Sequence, residues 1–449
     1  MNSKPTPFRP MEIPPAIFTW PGIWPLVVLV GISAVWAPAP YLAAAYCGLH
    51  ALLARQGFLR NLGSSDRNYL LNLTLAAFLM RLAAVLFFHF SSLGHDGFYF
   101  LDDRGFHDKG LTVMGFWRDG RFPPLYEWTP IGLGTFHVGF IRIIAACYYA
   151  FGVHPLIPKL IGAAVGSFLP MLLFAAAGLL GLAVAERRLV ALFGALYPNL
   201  ILWGSFLLKD AWISTLLVGG CVGALCLLRR PITQRVIVGV TAVLWILCAF
   251  RIYLTLGILL GLLLYGIAGL NRKEFLRWLR FAIVLLLVAN VSPFVRWIEE
   301  RIVMSFVISL PLQYRDPLAC FSNSALAVPR FLLGSYAWVF FGNDPIIFVS
   351  YPGQWLLYLV IYPLFFAGLI QVFRANDRRW LIVLAPLAVS LLVYLAAYGG
   401  AAPRQRAAVE PLILLVAALG LRSSRLRSVW VVWLAALILF IVAHLLSLQ

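Results

Sequence analysis

The chain is poor in charge and poorest in acid. Asp and Glu number 17 against 35 Lys and Arg in 449 residues, and charged residues together make up 12%. A soluble domain of that length needs far more charge to cover its surface, so the soluble globular classes are excluded. Alternation of apolar and polar residues in short segments is lacking, which excludes a membrane β-barrel. Cysteines number six. Cys47, Cys147, Cys221, Cys226 and Cys248 lie in apolar segments, Cys320 does not, and none has metal-ligand spacing with histidine; they read as small buried hydrophobes. Behind Lys4 and Arg9 no short apolar core runs into a small-residue cleavage site, so no cleavable signal peptide is expected. No internal repeat is visible, and charges collect at the ends of apolar runs rather than mid-run, which disfavours a transporter.

What fills the chain is apolar: 62% hydrophobic residues and a mean hydropathy of +0.91. Repeated long apolar runs mark a polytopic helical membrane protein. Spans are expected near 22–37, 40–54, 69–90, 157–184, 189–208, 211–228, 236–250, 253–270, 279–295, 354–373, 380–398, 407–421 and 429–447. The net charge of +18 comes from arginine-rich loops between these runs, the pattern of positive-inside bias and attraction to anionic headgroups; no nucleic-acid partner is expected.

The basic loops fix orientation. They are Arg55–Arg67, Glu186–Arg188, Arg229–Arg235, Arg272–Arg280, Arg374–Arg379 and Arg422–Arg427. All six fall on the cytoplasmic side only if the run at 131–152, with His137, Arg142 and three glycines, does not cross. That run reads as an interfacial helix. The count is then 13 spans, with the N-terminus inside and the C-terminus outside. The expected divisions are a cytoplasmic lead at 1–21, two extra spans and a basic loop at 22–68, and a transmembrane core at 69–295 with an external loop at 91–156. A second external loop with interfacial helices follows at 296–353, then C-terminal spans at 354–449.

The longest polar interruption of the first half, Phe98–Pro130, falls outside. Asp102 and Asp103 sit there beside a low-dielectric boundary. Either is a candidate general base; with Asp210 they are also the candidates for a divalent cation; the alternative is a plain turn. His107 lies four residues after Asp103 on the same helix face, and His107 and Lys109 are candidate phosphate or substrate contacts. Lys209 and Asp210 fall at a tight outer tip, where the alternative is a hairpin cap. Arg251, flanked by apolar residues, calls for an anion or for snorkelling to headgroups. Arg404 and Arg406 follow a flexible Gly-Gly-Ala-Ala-Pro stretch, spaced for bidentate phosphate contacts.

In order, Asp102-Asp103 with Phe106-His107, Phe151-Gly152, Tyr197-Pro198 to Lys209-Asp210, Arg251-x-Tyr253, Pro329-Arg330 to Trp338, and Arg404-x-Arg406 with Pro411 resemble a bacterial membrane glycosyltransferase of the GT-C type. The chain looks similar over residues 70–421 to the dolichyl-phosphate-mannose mannosyltransferases and aminoarabinose transferases. The resemblance implies an inverting transfer of a sugar from a polyprenyl phosphate or diphosphate to a glycan, lipid or protein acceptor, on the extracytoplasmic face of a bacterial inner membrane. It implies an acidic residue of the first external loop acting on the acceptor, with Asp103 preferred over Asp102 and Asp210 as the second acid. Lys209 and Arg251 become phosphate-facing cations, and Arg404 and Arg406 match a late basic motif. The doubled Asp and the two leading spans depart from the family pattern. A competing reading is a polysaccharide or O-antigen polymerase or ligase resting on the second loop, with Arg315 prominent. A lipid-linked sugar transporter is the third.

Overall fold

The computed structural model describes residues 62–91, 97–98, 101–122, 138–228, 234–269, 332–333, 353–398 and 406–446. Its contacts divide the chain into Met1–Asn68 and Tyr69–Gln449; of the first unit, the described residues 62–68 lead into a helix. Among the described residues the protein is helical and has no strand. The expected spans at 22–37, 40–54 and 279–295, and nearly all of the 296–353 loop, lie outside the described residues.

The helices are α1 Ser64–Phe90, α2 Leu101–Arg118, α3 Val138–Phe151, α4 Leu156–Gly166, α5 Leu169–Leu179, α6 Val184–Leu196 and α7 Pro198–Trp203. They continue as α8 Asp210–Leu227, α9 Gln234–Phe250, α10 Ile252–Gly269, α11 Tyr362–Ala375, α12 Leu381–Tyr398, α13 Glu410–Gly420 and α14 Leu426–Leu446. Ser64–Phe90, Leu156–Leu179, Asp210–Leu227 and Gly353–Ala375 are long and apolar enough to cross a membrane. Shorter apolar helices accompany them at Gly139–Phe151, Val236–Phe250, Ile252–Ala268, Glu410–Gly420 and Leu426–Val442.

Two expected spans are interrupted. The run at 189–208 is helix only to Leu196: Tyr197 turns extended, Pro198 opens α7, and residues 204–209 are irregular yet buried. The run at 157–184 breaks at Ser167 and Phe168 between α4 and α5, and beyond Leu179 Gly181, at φ +84°, turns the chain back. A third, 354–373, carries a π-helical turn at Leu357–Ile361.

Proline accounts for much of this. It has no N–H, so the carbonyl four residues earlier loses its helical partner, and in an apolar bundle no water replaces it. Here neighbouring helices supply the donors. Behind Pro198, the Gly194 carbonyl accepts from Arg81 Nη2 at 3.1 Å and the Ala195 carbonyl from Arg81 Nη1 at 3.0 Å. Behind Pro363, the Leu359 carbonyl accepts from the Trp430 indole at 2.8 Å. Behind Pro386, the Ile382 carbonyl faces Cys221 Sγ at 3.5 Å. Behind Pro411, the Ala407 carbonyl accepts from Ser214 Oγ at 3.3 Å.

Arg81 corrects the expectation that charges avoid the middles of the apolar runs. It lies well inside α1 and is fully buried. A mid-span cation is costly; here it is offset by carbonyls at the negative end of the α6 dipole.

Close packing depends on glycine at one joint. A Cβ on Gly368 of α11 would collide with the Val416 carbonyl of α13, and one on Gly420 with the Leu364 carbonyl. The two helices approach backbone to backbone, as small residues permit in membranes.

The helices alternate between two ends of the bundle. At one end Tyr69 of α1 donates to the Arg188 carbonyl, Arg379 donates to the Leu179 carbonyl, and Glu186 pairs with Arg422. At the other, the C-terminal turn of α1 packs Phe88 on Phe206, and ion pairs join Lys159 of α4 to Asp103, Asp210 of α8 to Arg251, and Arg406 to Glu410 of α13. Both ends of α3 lie at this second end. Phe140 packs on Phe250, the last residue of α9, and Tyr148 on His107 of α2.

Candidate functional site

The second end gathers buried ion pairs. α2 is amphipathic: Asp103, Phe106, Gly110, Val113 and Met114 are buried, while Asp102, Arg104 and Asp108 are exposed. That periodicity turns the adjacent carboxylates about 100° apart, one out and one in. Asp103 is 0% exposed. Its Oδ1 accepts from the Leu207 backbone N–H at 2.7 Å, and its Oδ2 pairs with Lys159 Nζ at 3.4 Å. The irregular 204–209 stretch has no helical ladder of its own, and a buried amide needs a partner; Asp103 supplies one to Leu207. Lys159 also donates to the Gly97 carbonyl at 2.5 Å and lies over the Phe98 ring.

Four residues on, His107 is half-buried, with Nδ1 2.7 Å from the Tyr148 hydroxyl and its ring on Phe98. Burial holds its pKa below the usual histidine value, against the raising influence of Asp108 and Asp103. Lys109 is half-buried on the same helix. Lys209, 3% exposed, projects over the Phe106 ring at 5.1 Å, a cation–π contact that links the 204–209 stretch to α2.

Asp210 opens α8 and is buried. Its Oδ1 lies 3.6 Å from Arg251 Nη2 at the α9–α10 junction. Arg251 Nη1 donates to the hydroxyls of Tyr253, at 2.9 Å, and of Tyr394 on α12; the two hydroxyls are themselves 2.9 Å apart. A water-sized cavity adjoins, lined by Arg81, Asp210, Ser214, Trp203 and Ala407 among others.

Arg406 is 0% exposed. Its guanidinium bonds Glu410 at 3.2 Å, the Leu332 carbonyl at 2.9 Å and the Gln354 side chain. Glu410 in turn accepts from Asn199 of α7 at 3.2 Å. Arg406 thus ties Leu332 within the second loop and Gln354 just after it to the bundle, and Tyr358 and Tyr197 reinforce this through the Leu333 and Gly353 carbonyls.

The expected residues therefore meet as follows. Asp103 and Lys209 come together through Leu207 and Phe106, and Asp210 and Arg251 pair directly. Arg406 stands one helix away, and Arg404 lies outside the described residues. Asp102 faces out, Asp103 is enclosed by an amide and an ammonium, and Asp210 faces a guanidinium; among the described residues no three His, Cys, Asp or Glu side chains gather as metal ligands. Sequence reasoning passed over Arg81, Lys159, Asn199, Gln354 and Tyr394. For Arg81 and Lys159 a signal was present, since a cation inside an apolar run is a functional flag by default.

Neither a family model nor a curated protein matches the chain.

Proposed function

We propose that the protein is an integral-membrane glycosyltransferase of the GT-C kind, moving a sugar from a polyprenyl phosphate or diphosphate to an acceptor at the extracytoplasmic face of a bacterial inner membrane. One observation carries the reading. Carboxylates and cations from α2, α4, α8, the α9–α10 junction and the start of α13 gather at a single end of the bundle, while arginine-rich turns occupy the other. The two ends of α3 at the charged end support a helix that does not cross, and with it the 13-span arrangement.

Burial leads us to divide the labour between the doubled carboxylates in the reverse of the sequence preference. Asp102, exposed at the start of α2, takes the acceptor proton. Asp103, sealed against Leu207 and Lys159, positions it and the 204–209 stretch. The acceptor oxygen attacks the anomeric carbon from the face opposite the phosphate; the carbon–oxygen bond to the phosphate breaks, and the lipid phosphate leaves with the electron pair. Charge grows on that phosphate in the transition state, where Arg251 and Lys209 stabilise it.

The test uses membranes of a strain lacking the protein, in which the lipid-linked donor accumulates. Wild type clears the donor, and Asp102→Asn, present at wild-type level, leaves it. Clearance by Asp102→Asn at the wild-type rate sinks the assignment. A cysteine at His154, exposed between α3 and α4, is expected to react with an impermeant maleimide from outside; reaction from the cytoplasmic side alone removes the topology.

A further inference from the structure

Arg81 is buried inside α1, and among the described residues none of its hydrogen bonds reaches a carboxylate. Nη1 donates to the Ala77 carbonyl at 3.2 Å and the Ala195 carbonyl at 3.0 Å, and Nη2 to the Gly194 carbonyl at 3.1 Å. Nε carries a further hydrogen. It is buried and, among the described residues, donates to no protein acceptor. A buried donor without an acceptor bears the whole desolvation penalty of its group, so the hydrogen on Nε calls for a partner that the protein does not supply.

The water-sized cavity lies beside it. Small residues leave the space: Gly166, Gly204 and Ala211 line it, and a Cβ on Gly166 would sit 3.0 Å from Nε. Asp210 and Ser214 line it too. Ser214 gives its hydrogen to the Asp210 and Ala407 backbone carbonyls, so toward the cavity its oxygen is an acceptor. Cavities that stay dry are apolar, and this one is bordered by a donor, a carboxylate and a hydroxyl oxygen. Charge selects the occupant. The carboxylate repels a halide, and the guanidinium repels a metal cation. A water satisfies both, accepting from one and donating to the other, and three hydrogen bonds are typical of a buried water.

We infer that this cavity binds one ordered water, which accepts from Arg81 Nε and donates to the Asp210 carboxylate and to Ser214 Oγ. The water links Arg81 to Asp210 and gives the mid-span guanidinium its counter-charge. Asp210 is then held from α1 through the water and from the α9–α10 junction by Arg251. Arg81 also caps the carbonyls behind Pro198, so the water joins that break in the bundle to the start of α8. The bridge stands whether or not the protein transfers sugar.

The test is a crystal structure of the full-length protein in lipidic mesophase, grown with bromide as the halide, together with radiolytic hydroxyl-radical footprinting in nanodiscs. Wild type is expected to show a single density peak about 2.9 Å from Nε, with no bromide anomalous signal. Radiolysis oxidises buried side chains that touch bound water, so Trp203, which lines the cavity and is 7% exposed, is expected to be modified. Gly166→Ala puts a methyl group beside Nε in the place of the water. Trp203 modification then falls several-fold, and the peak is lost from crystals of the variant. An empty cavity or an anomalous bromide peak in wild type overturns the inference, as does undiminished Trp203 modification in folded Gly166→Ala. If that variant does not fold, the wild-type density decides the matter alone.

Discussion

The two ends of the bundle spend their charge differently. At one end Glu186 bonds Arg422 and its own helix's first amide at Ala183, and Asp377 holds Arg379; these arginines are 43% and 41% exposed. At the other, Asp103–Lys159 and Arg406–Glu410 are at most 1% exposed. Exposed pairs are screened by water and set orientation more than stability. Buried pairs carry a desolvation cost that ordinary packing would avoid, and their concentration at one end is why we propose the reaction there.

The comparison breaks most easily at its buried end. Lys159→Met leaves Asp103 enclosed without its cation and is expected to cost about 3–5 kcal/mol, read as the thermal midpoint in detergent; a wild-type midpoint would make the pair dispensable. Arg81→Leu orphans the Gly194 and Ala195 carbonyls, an expected loss of about 2–4 kcal/mol, seen as faster backbone hydrogen exchange around α6 and α7. Trp430→Phe removes the donor to the Leu359 carbonyl, for about 1–2 kcal/mol by the same unfolding assay. Arg422→Ala, at the exposed end, is expected to change stability by about 1 kcal/mol or less; a loss rivalling that of Lys159→Met would erase the distinction between the ends.

The smallest effect is a pH dependence at His107. Burial depresses its pKa, so the folded state favours the neutral ring. The stability linked to it is present above the ordinary histidine range and is lost as pH falls through that range toward the depressed value. His107→Gln is expected to flatten the thermal midpoint between about pH 7 and 5, the interval around the unperturbed value, and a profile unchanged by the substitution removes the linkage.

Much of the architecture was legible in the linear pattern. The run at 211–228 appears as Asp210–Leu227, 236–250 as Gln234–Phe250 and 253–270 as Ile252–Gly269. Apolar length and flanking arginines are local properties, so reading them needs no knowledge of neighbours. The broken run at 189–208 was less legible, although Tyr197-Pro198 was in plain view. Proline inside a membrane helix is tolerated when another helix supplies a donor, and whether one does is not written nearby. Arg81 sits 113 positions from the carbonyl it satisfies at Gly194.

The linear order of residues determined that this chain is helical, apolar in long runs, arginine-rich at one set of turns, and furnished with acids in its first long polar stretch. Tertiary packing alone decided that Asp103 turns inward and Asp102 outward, that Lys159 meets Asp103, and that Tyr394 reaches Arg251 across 143 positions of chain. Neighbouring carboxylates are identical as chemistry; what separates them is the rotation of α2 against the bundle, and that phase is set by the apolar side chains it buries and by the amide at Leu207 that required an acceptor.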